Sequence, residues 1–406
     1  MKILLDGRFY GIENAGLGRY TINLIRELQN IDKENHYLVL LRKKYFNQLN
    51  FPENWEKVLA DYRHYSFAEQ IKLPKLISFL KPDLVHFLHF NVPIFYRGSF
   101  VVTIHDILMH GQRGLEATTL PLPSYYFKRL GYKLVFRRAV LGAKKIITPS
   151  NAVKKEIIDY YKIDSKKVIV TYEGLDEEVL ENKDKKEVLG KYKLNNQYFV
   201  YAGNAYPHKN LKRAIEAILL LNDILQKGMT YQHSINLRNK LRSAPECCYE
   251  EREEKIILVI VSARNVFRER IEKIVKKMKA AEYIKVLDLV PDKELGSLYK
   301  NSLAFVFPSL SEGFGLPGLE AMAAGTLVLA SDIPVFKEIY QGSVVYFNPY
   351  DFFSIEEAMK NVLQIDKEKR EEIISKSQSF IKRYSWRKMA EETLKVYESC
   401  STVRPG

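Results

Sequence analysis

The chain is predicted to fold as two doubly wound, Rossmann-like α/β domains, and three observations lead there. Short β-branched runs alternate with stretches of helical periodicity. That rhythm lapses after residue 174 and begins again at Tyr198. The length, 406 residues, is too great for one ordinary core and suits two domains of typical size.

Lys2–Leu5 opens the first domain as a strand. Leu17–Gln29 follows as a helix, with Ile22, Ile25 and Leu28 at helical spacing. His36–Leu41 reads as a strand and Phe67–Leu80 as a helix; Asp83–Phe87, Phe100–Ile104, Lys145–Thr148 and Lys167–Thr171 complete the set of strands. The second set starts with the strand Tyr198–Ala202, a glycine-containing loop and the helix Leu211–Leu221. Its further strands are Ile256–Val261, Ile284–Leu287, Ala304–Phe307 and Thr326–Leu329. Alternation of this kind predicts parallel sheets. The boundary falls within Gly174–Leu194, around the charged run Lys183–Glu187, and divides the chain into 1–180 and 181–380. Asn222–Lys255 is polar and without periodicity, which predicts a surface excursion. The end, Ile365–Ser399, is helical in composition.

With 46% hydrophobic and 28% charged residues the composition is globular. Asp6 and Arg8 interrupt the N-terminus too early for a signal peptide, and no apolar run approaches the ~18 residues of a membrane-spanning helix. The expectation is a cytoplasmic protein. Cys247, Cys248 and Cys400 make neither a disulfide framework nor a four-ligand zinc pattern. The formal charge of +14 is spread along the chain; it suits a solvated basic surface or an acidic partner, and no nucleic-acid-binding module accompanies it.

Four constellations can carry chemistry. Gly11 to Tyr20 follows the first strand and opens a helix; Gly16 and Gly18 either permit a tight turn or let backbone amides approach an anion. Thr21 stands where a dinucleotide fingerprint would have its third glycine. His105 and Asp106 end an apolar strand, where ligands of α/β sheets bind. Either they meet a ligand, or Asp106 caps the next turn and orients His105. His86 and His89, at the end of a neighbouring strand, read as structural, with one of them a candidate for the acceptor side. The third is the loop Gly203-Asn204-Ala205-Tyr206-Pro207-His208-Lys209-Asn210, with Lys209 just before a helix. The fourth runs from Ser309 to Gly325. Glu312 lies in a loop with Gly313 and Gly315, Pro317 suits a first helical turn, and Glu320 stands among Leu319, Ala321, Met322 and Ala323. A carboxylate in such company needs a partner.

These motifs, with Thr148-Pro149-Ser150, Tyr172-Glu173-Gly174-Leu175-Asp176 and Tyr384-Ser385-Trp386, make the sequence similar to the retaining glycosyltransferases of family 4, the group 1 glycosyl transferases. The family signature is two glutamates with seven residues between them, the first opening Glu-Gly-Phe-Gly-Leu-Pro, and Glu312 and Glu320 match it. The resemblance implies the GT-B fold, two Rossmann-like domains facing a central cleft, with a terminal helix (381–399) packing back on the first. It implies that Glu320 holds the ribose hydroxyls of a nucleotide, that Glu312 contacts the donor sugar, and that the amides of Gly315 and Leu316, with Lys209, bind the diphosphate. Gly16 would close over the phosphate, and His105, beside Asp106, would bind a donor hydroxyl. The sequence departs from the family at Asn204 and His208, where many members carry arginine; Arg213 is a candidate to assist the diphosphate instead.

No Asp-x-Asp motif is placed to hold a metal against a diphosphate, so the expected reaction is metal-independent, with no cofactor beyond the nucleotide-sugar donor. In the family reading attack is front-side, and the leaving phosphate takes the acceptor proton. The resemblance to enzymes of O-antigen and capsule assembly makes GDP-mannose the first candidate donor and a glycan or lipid-linked sugar the acceptor. The alternatives are a sugar-nucleotide epimerase, a glycogen-synthase-like enzyme, or a non-catalytic sugar-binding homologue. Pro123–Val140 interleaves Lys128, Arg129, Lys133, Arg137 and Arg138 with aromatic and aliphatic residues. Such a helix lies on an anionic bilayer, as a peripheral contact, or packs its apolar residues on the sheet.

Overall fold

A computed structural model describes residues 1–111, 122–175, 186–227, 255–263 and 265–401. Asp176, the charged run at 183–185, most of the polar excursion, and Cys247 with Cys248 lie outside the described residues. The chain forms two units: Met1–Gly174 with Tyr384–Gly406, and Leu175–Arg383.

The first unit carries a seven-stranded, fully parallel sheet in the order β3-β2-β1-β4-β5-β6-β7. The strands are β1 (Lys2–Leu5), β2 (His36–Leu41), β3 (Trp55–Leu59), β4 (Leu84–Phe87), β5 (Phe100–Thr103), β6 (Lys145–Thr148) and β7 (Val168–Val170). The central strands are buried on both faces, as a parallel sheet covered by helices requires. Leu4, Leu38, Val85, Phe87, Val102 and Ile146 lie in one core cluster. β3 is not among the strands expected from the sequence. It is an edge strand, buried only at Trp55 and Val58, with Glu56 and Lys57 between them, so it lacks the continuous apolar run of its neighbours. Trp55 stacks on Tyr37 of β2 at 4.1 Å.

The helix Trp386–Ser399 belongs to this unit and packs on the helix Ala15–Ile31. Tyr397 reaches the sheet there, 2.6 Å from His86 Nδ1, and His86 Nε2 lies 2.8 Å from Thr103 Oγ1. Burial, with repulsion from His105, pushes the His86 imidazole down to about 3. It is a neutral structural histidine.

The second unit carries a six-stranded parallel sheet in the order β10-β9-β8-β11-β12-β13. Its strands are β8 (Tyr198–Ala202), β9 (Ile257–Val261), β10 (Ile284–Leu287), β11 (Phe305–Phe307), β12 (Val328–Ser331) and β13 (Val345–Phe347). The three-residue edge strand β13 is likewise not among the strands expected from the sequence, and β12 lies two residues later than expected. The excursion begins later too. The helix expected to end at Leu221 continues to Lys227, because Asn222 is not a solvated residue. It is buried, and its amide pairs with Ile256 in both directions: Nδ2 donates to the carbonyl (2.9 Å), and Oδ1 accepts from the amide (3.0 Å). The two ends of the excursion are thereby tied together.

Candidate active site

Doubly wound sheets bind ligands beyond the carboxyl ends of their strands, where the strand order turns back. In the second unit that point lies between β8 and β11. The loops leaving these two strands are bonded to each other. Leu310 N donates to His208 O (2.8 Å), and Asn210 Nδ2 donates to Pro308 O (3.0 Å) and Pro349 O (2.7 Å). Arg213, considered for the diphosphate, is engaged with Asn210 Oδ1 at 2.8 Å.

On this frame Lys209 Nζ donates directly to Glu312 Oε1 across 103 positions of sequence. Both side chains are largely buried, at 16% and 11% exposure, and the ammonium also lies 5.6 Å from the Phe307 ring. Removing one partner from a pair so largely withdrawn from water leaves the other charge uncompensated, so the ammonium and the carboxylate hold each other in place. His208 adds no second charge, since burial and the adjacent Lys209 push its imidazole down to about 4. Asn204 is half-buried, and its carbonyl accepts from Tyr201 (2.7 Å).

The loop after β11 turns into the helix Leu316–Ala323 at Gly315, with φ of 104°. Tyr340 locks the turn. Its hydroxyl donates to Gly315 O (2.5 Å), and a Cβ at Gly315 or Gly318 would collide with it. Pro317 sits in the first turn, and the first amides of a helix have no intrahelical acceptor. Glu320 follows Leu316 by one turn and so shares its face; it is only 6% exposed. Tyr340 left no signal in the sequence, because its role depends on a contact 25 residues away.

In the first unit the glycine loop separates the two roles considered for it. A Cβ at Gly18 would collide with the Gly11 carbonyl, so Gly18 is demanded by packing. A Cβ at Gly16 would meet nothing within 4 Å, so packing does not explain that glycine. Gly16 is exposed at the start of the helix Ala15–Ile31, where an anion is favoured. His105 is already committed. Its Nε2 lies 3.0 Å from Leu88 O, which can only accept, and its Nδ1 lies 3.3 Å from Glu173 Oε1. A donor hydroxyl would have to displace one of these. Glu173 was visible in the Tyr172–Asp176 motif but had no role until this contact assigned one. Asp106 Oδ1 accepts from Leu108 N (3.0 Å), which is the turn-capping role weighed for it.

Residues 181–380 match the glycosyl transferases group 1 family, and residues 15–179 match glycosyltransferase family 4. The chain belongs to the family 4, group 1 glycosyltransferases. This family 4 enzyme is 26% identical to the O-antigen chain mannosyltransferase RfbU of Salmonella typhimurium, over 93% of this chain and 94% of the relative. Two solved structures share its architecture. A glycosyltransferase from Rickettsia africae superposes with a TM-score of 0.66, 16% identity and 99% of each chain covered. Anabaena HepE in complex with UDP and glucose superposes with a TM-score of 0.68, 16% identity, 98% of this chain and 100% of that one. The fold is GT-B.

Proposed function

We propose that this glycosyltransferase moves mannose from GDP-mannose to a glycan or lipid-linked acceptor, with retention of configuration and without a metal ion. The Lys209–Glu312 pair carries the reading. As the bond from the anomeric carbon to the phosphate oxygen breaks, negative charge grows on the diphosphate. Lys209 and the amides of Gly315 and Leu316 stabilise that charge without rearranging. Glu312, released from Lys209, accepts hydrogen bonds from the donor sugar. Glu320 binds the ribose hydroxyls. The acceptor oxygen bonds to the anomeric carbon, and its proton passes to the leaving phosphate oxygen. The likeness to an O-antigen mannosyltransferase supports mannose as the group transferred.

The test is a donor screen with GDP-mannose, UDP-glucose and related nucleotide sugars, with products identified by mass spectrometry in the presence and absence of chelator. GDP-mannose is expected to be consumed, and the rate is expected to survive chelation. Preference for another donor would overturn the mannose assignment. A rate abolished by chelator and restored by magnesium or manganese would overturn Lys209 and the amides as the main charge stabilisers.

The helix Leu122–Gly142 supports a peripheral contact with an anionic bilayer. Tyr126, Phe127, Leu130, Leu134 and Leu141 do not pack on the sheet but stand 47–67% exposed along one face. Lys128, Lys133 and Arg137 are exposed with them, and the helix holds no acidic residue. Arg129 and Arg138 are turned inward: Arg129 donates to His110 O (3.2 Å), and Arg138 donates to Tyr96 O. No helix among the described residues is long and apolar enough to cross a membrane. Each outward cation near an anionic surface contributes about 1 kcal/mol. Replacing Lys128, Lys133 and Arg137 by glutamine is therefore expected to weaken sedimentation with anionic vesicles about a hundredfold at low salt. Equal binding of wild type to neutral and anionic vesicles would count against the contact.

A further inference from the structure

The first unit has its own reversal point, between β1 and β4. A buried polar scaffold occupies it. Arg8, 2% exposed, donates from Nε and Nη2 to Asp6 (2.7 and 2.6 Å) and from Nη1 to Glu69 Oε1 (2.7 Å). Glu69, fully buried, also accepts from Asn91 Nδ2 (2.8 Å) and from Tyr65 N (2.8 Å). Burial alone would raise the Glu69 carboxyl, but His64, Arg8 and Asn91 together hold it below its usual value. Packed hydrophobic residues of equal volume would stabilise the unit at least as well as this triad of charges, which points to a role in orientation.

What the triad orients is Asn91 and Tyr65. Because a carboxylate only accepts, the Asn91 nitrogen must face Glu69, which fixes the direction of its oxygen. That Oδ1 is buried in a residue 2% exposed and has no hydrogen-bond partner among the described residues. His89 Nδ1 is likewise buried and without a partner among the described residues. Burial, with repulsion from His105, His64 and Arg8, keeps His89 neutral, well below its ordinary value. Native proteins seldom leave such atoms unsatisfied. Tyr65 is the aromatic residue at the surface of this cluster: it is 63% exposed, and its ring meets His89 edge-on at 6.2 Å. Its backbone is held at φ 59°, a conformation that is costly for an aromatic residue and is found preferentially at functional positions. Phe9 stacked on His64 at 3.9 Å, with His89 5.0 Å away, completes an aromatic wall.

We propose that this cluster is a pyranose-binding subsite for the acceptor. A sugar ring lies against Tyr65, whose side chain rotates to admit it, and two of its hydroxyls satisfy Asn91 Oδ1 and His89 Nδ1. A hydroxyl both donates and accepts, so it suits the carbonyl oxygen and either tautomer of the neutral imidazole. The proposal rests on the reading of the chain as a transferase whose donor binds the second unit.

The probe is methyl α-D-mannopyranoside, followed by saturation-transfer NMR with GDP present at saturation and with GDP affinity measured separately by calorimetry. Wild type is expected to bind the mannoside with GDP bound. Tyr65→Ala and Asn91→Ala are each expected to weaken it by about tenfold, the loss of one stacking or hydrogen-bonding contact, while Tyr65→Phe retains it. GDP affinity is expected to stay constant in all three variants. Mannoside binding that is absent from wild type, displaced by GDP, or unchanged in Tyr65→Ala overturns the subsite. Tyr65 is exposed, so its alanine variant tests the idea even if Asn91→Ala does not fold. Failure of GDP to bind wild type would instead sink the donor assignment and leave the mannoside result standing.

Discussion

Glu312→Gln is expected to lower turnover by about 10²–10³ without weakening the binding of a nucleoside diphosphate. The second half of that expectation comes from the ion pair. Glu312 neutralises Lys209, so under the proposed mechanism a diphosphate displaces the carboxylate before it gains the ammonium. Glutamine keeps the shape and one hydrogen bond to Lys209 but surrenders the charge, and nucleotide affinity should hold or rise. Turnover falls because the neutral amide is a weaker acceptor for the donor-sugar hydroxyls and disturbs their placement at the reacting carbon. Steady-state rates with calorimetric titration of GDP separate the two effects. A wild-type rate, or a loss of affinity as large as the loss of rate, would be incompatible with the role assigned to Glu312.

Glu320→Ala is expected to act on the other parameter, weakening nucleotide affinity by about 10- to 150-fold, the factor that corresponds to one charge-assisted hydrogen bond of about 1.5–3 kcal/mol. Glu320 is 6% exposed among apolar neighbours, on the helix face that begins with Leu316. A dideoxynucleoside diphosphate, lacking the ribose hydroxyls, makes the measurement specific. Wild type should lose affinity for it, and the variant should bind the two nucleotides alike. If the variant still distinguishes them as wild type does, Glu320 is not the ribose ligand.

Much of the candidate donor site was legible because its parts are local. The turn at Gly315 needs positive φ, the proline beyond it suits a first helical turn, and Glu320 falls one turn after Leu316 by helical periodicity. Those features depend on a dozen consecutive residues. Lys209 was legible as a lysine before a helix, but not as the partner of Glu312. The same holds for His105, whose two nitrogens meet Leu88 and Glu173 from distant segments.

The amino-acid sequence by itself determined the parallel α/β architecture, the place where the second set of strands starts, and the loops in which the candidate site residues lie. Periodicity and turn chemistry act within a few residues, and a continuous apolar run admits few alternatives to a buried strand. It did not determine the edge strands β3 and β13, which are short or half-polar and are recognised only by the strand beside them. The tertiary structure alone decided the outward face of Leu122–Gly142, the inward turn of Arg129 and Arg138, and the unpartnered oxygen of Asn91. Each of these depends on which distant groups arrive beside a side chain. Helical spacing says which residues share a face, but whether that face meets protein or solvent depends on the packing of the whole unit.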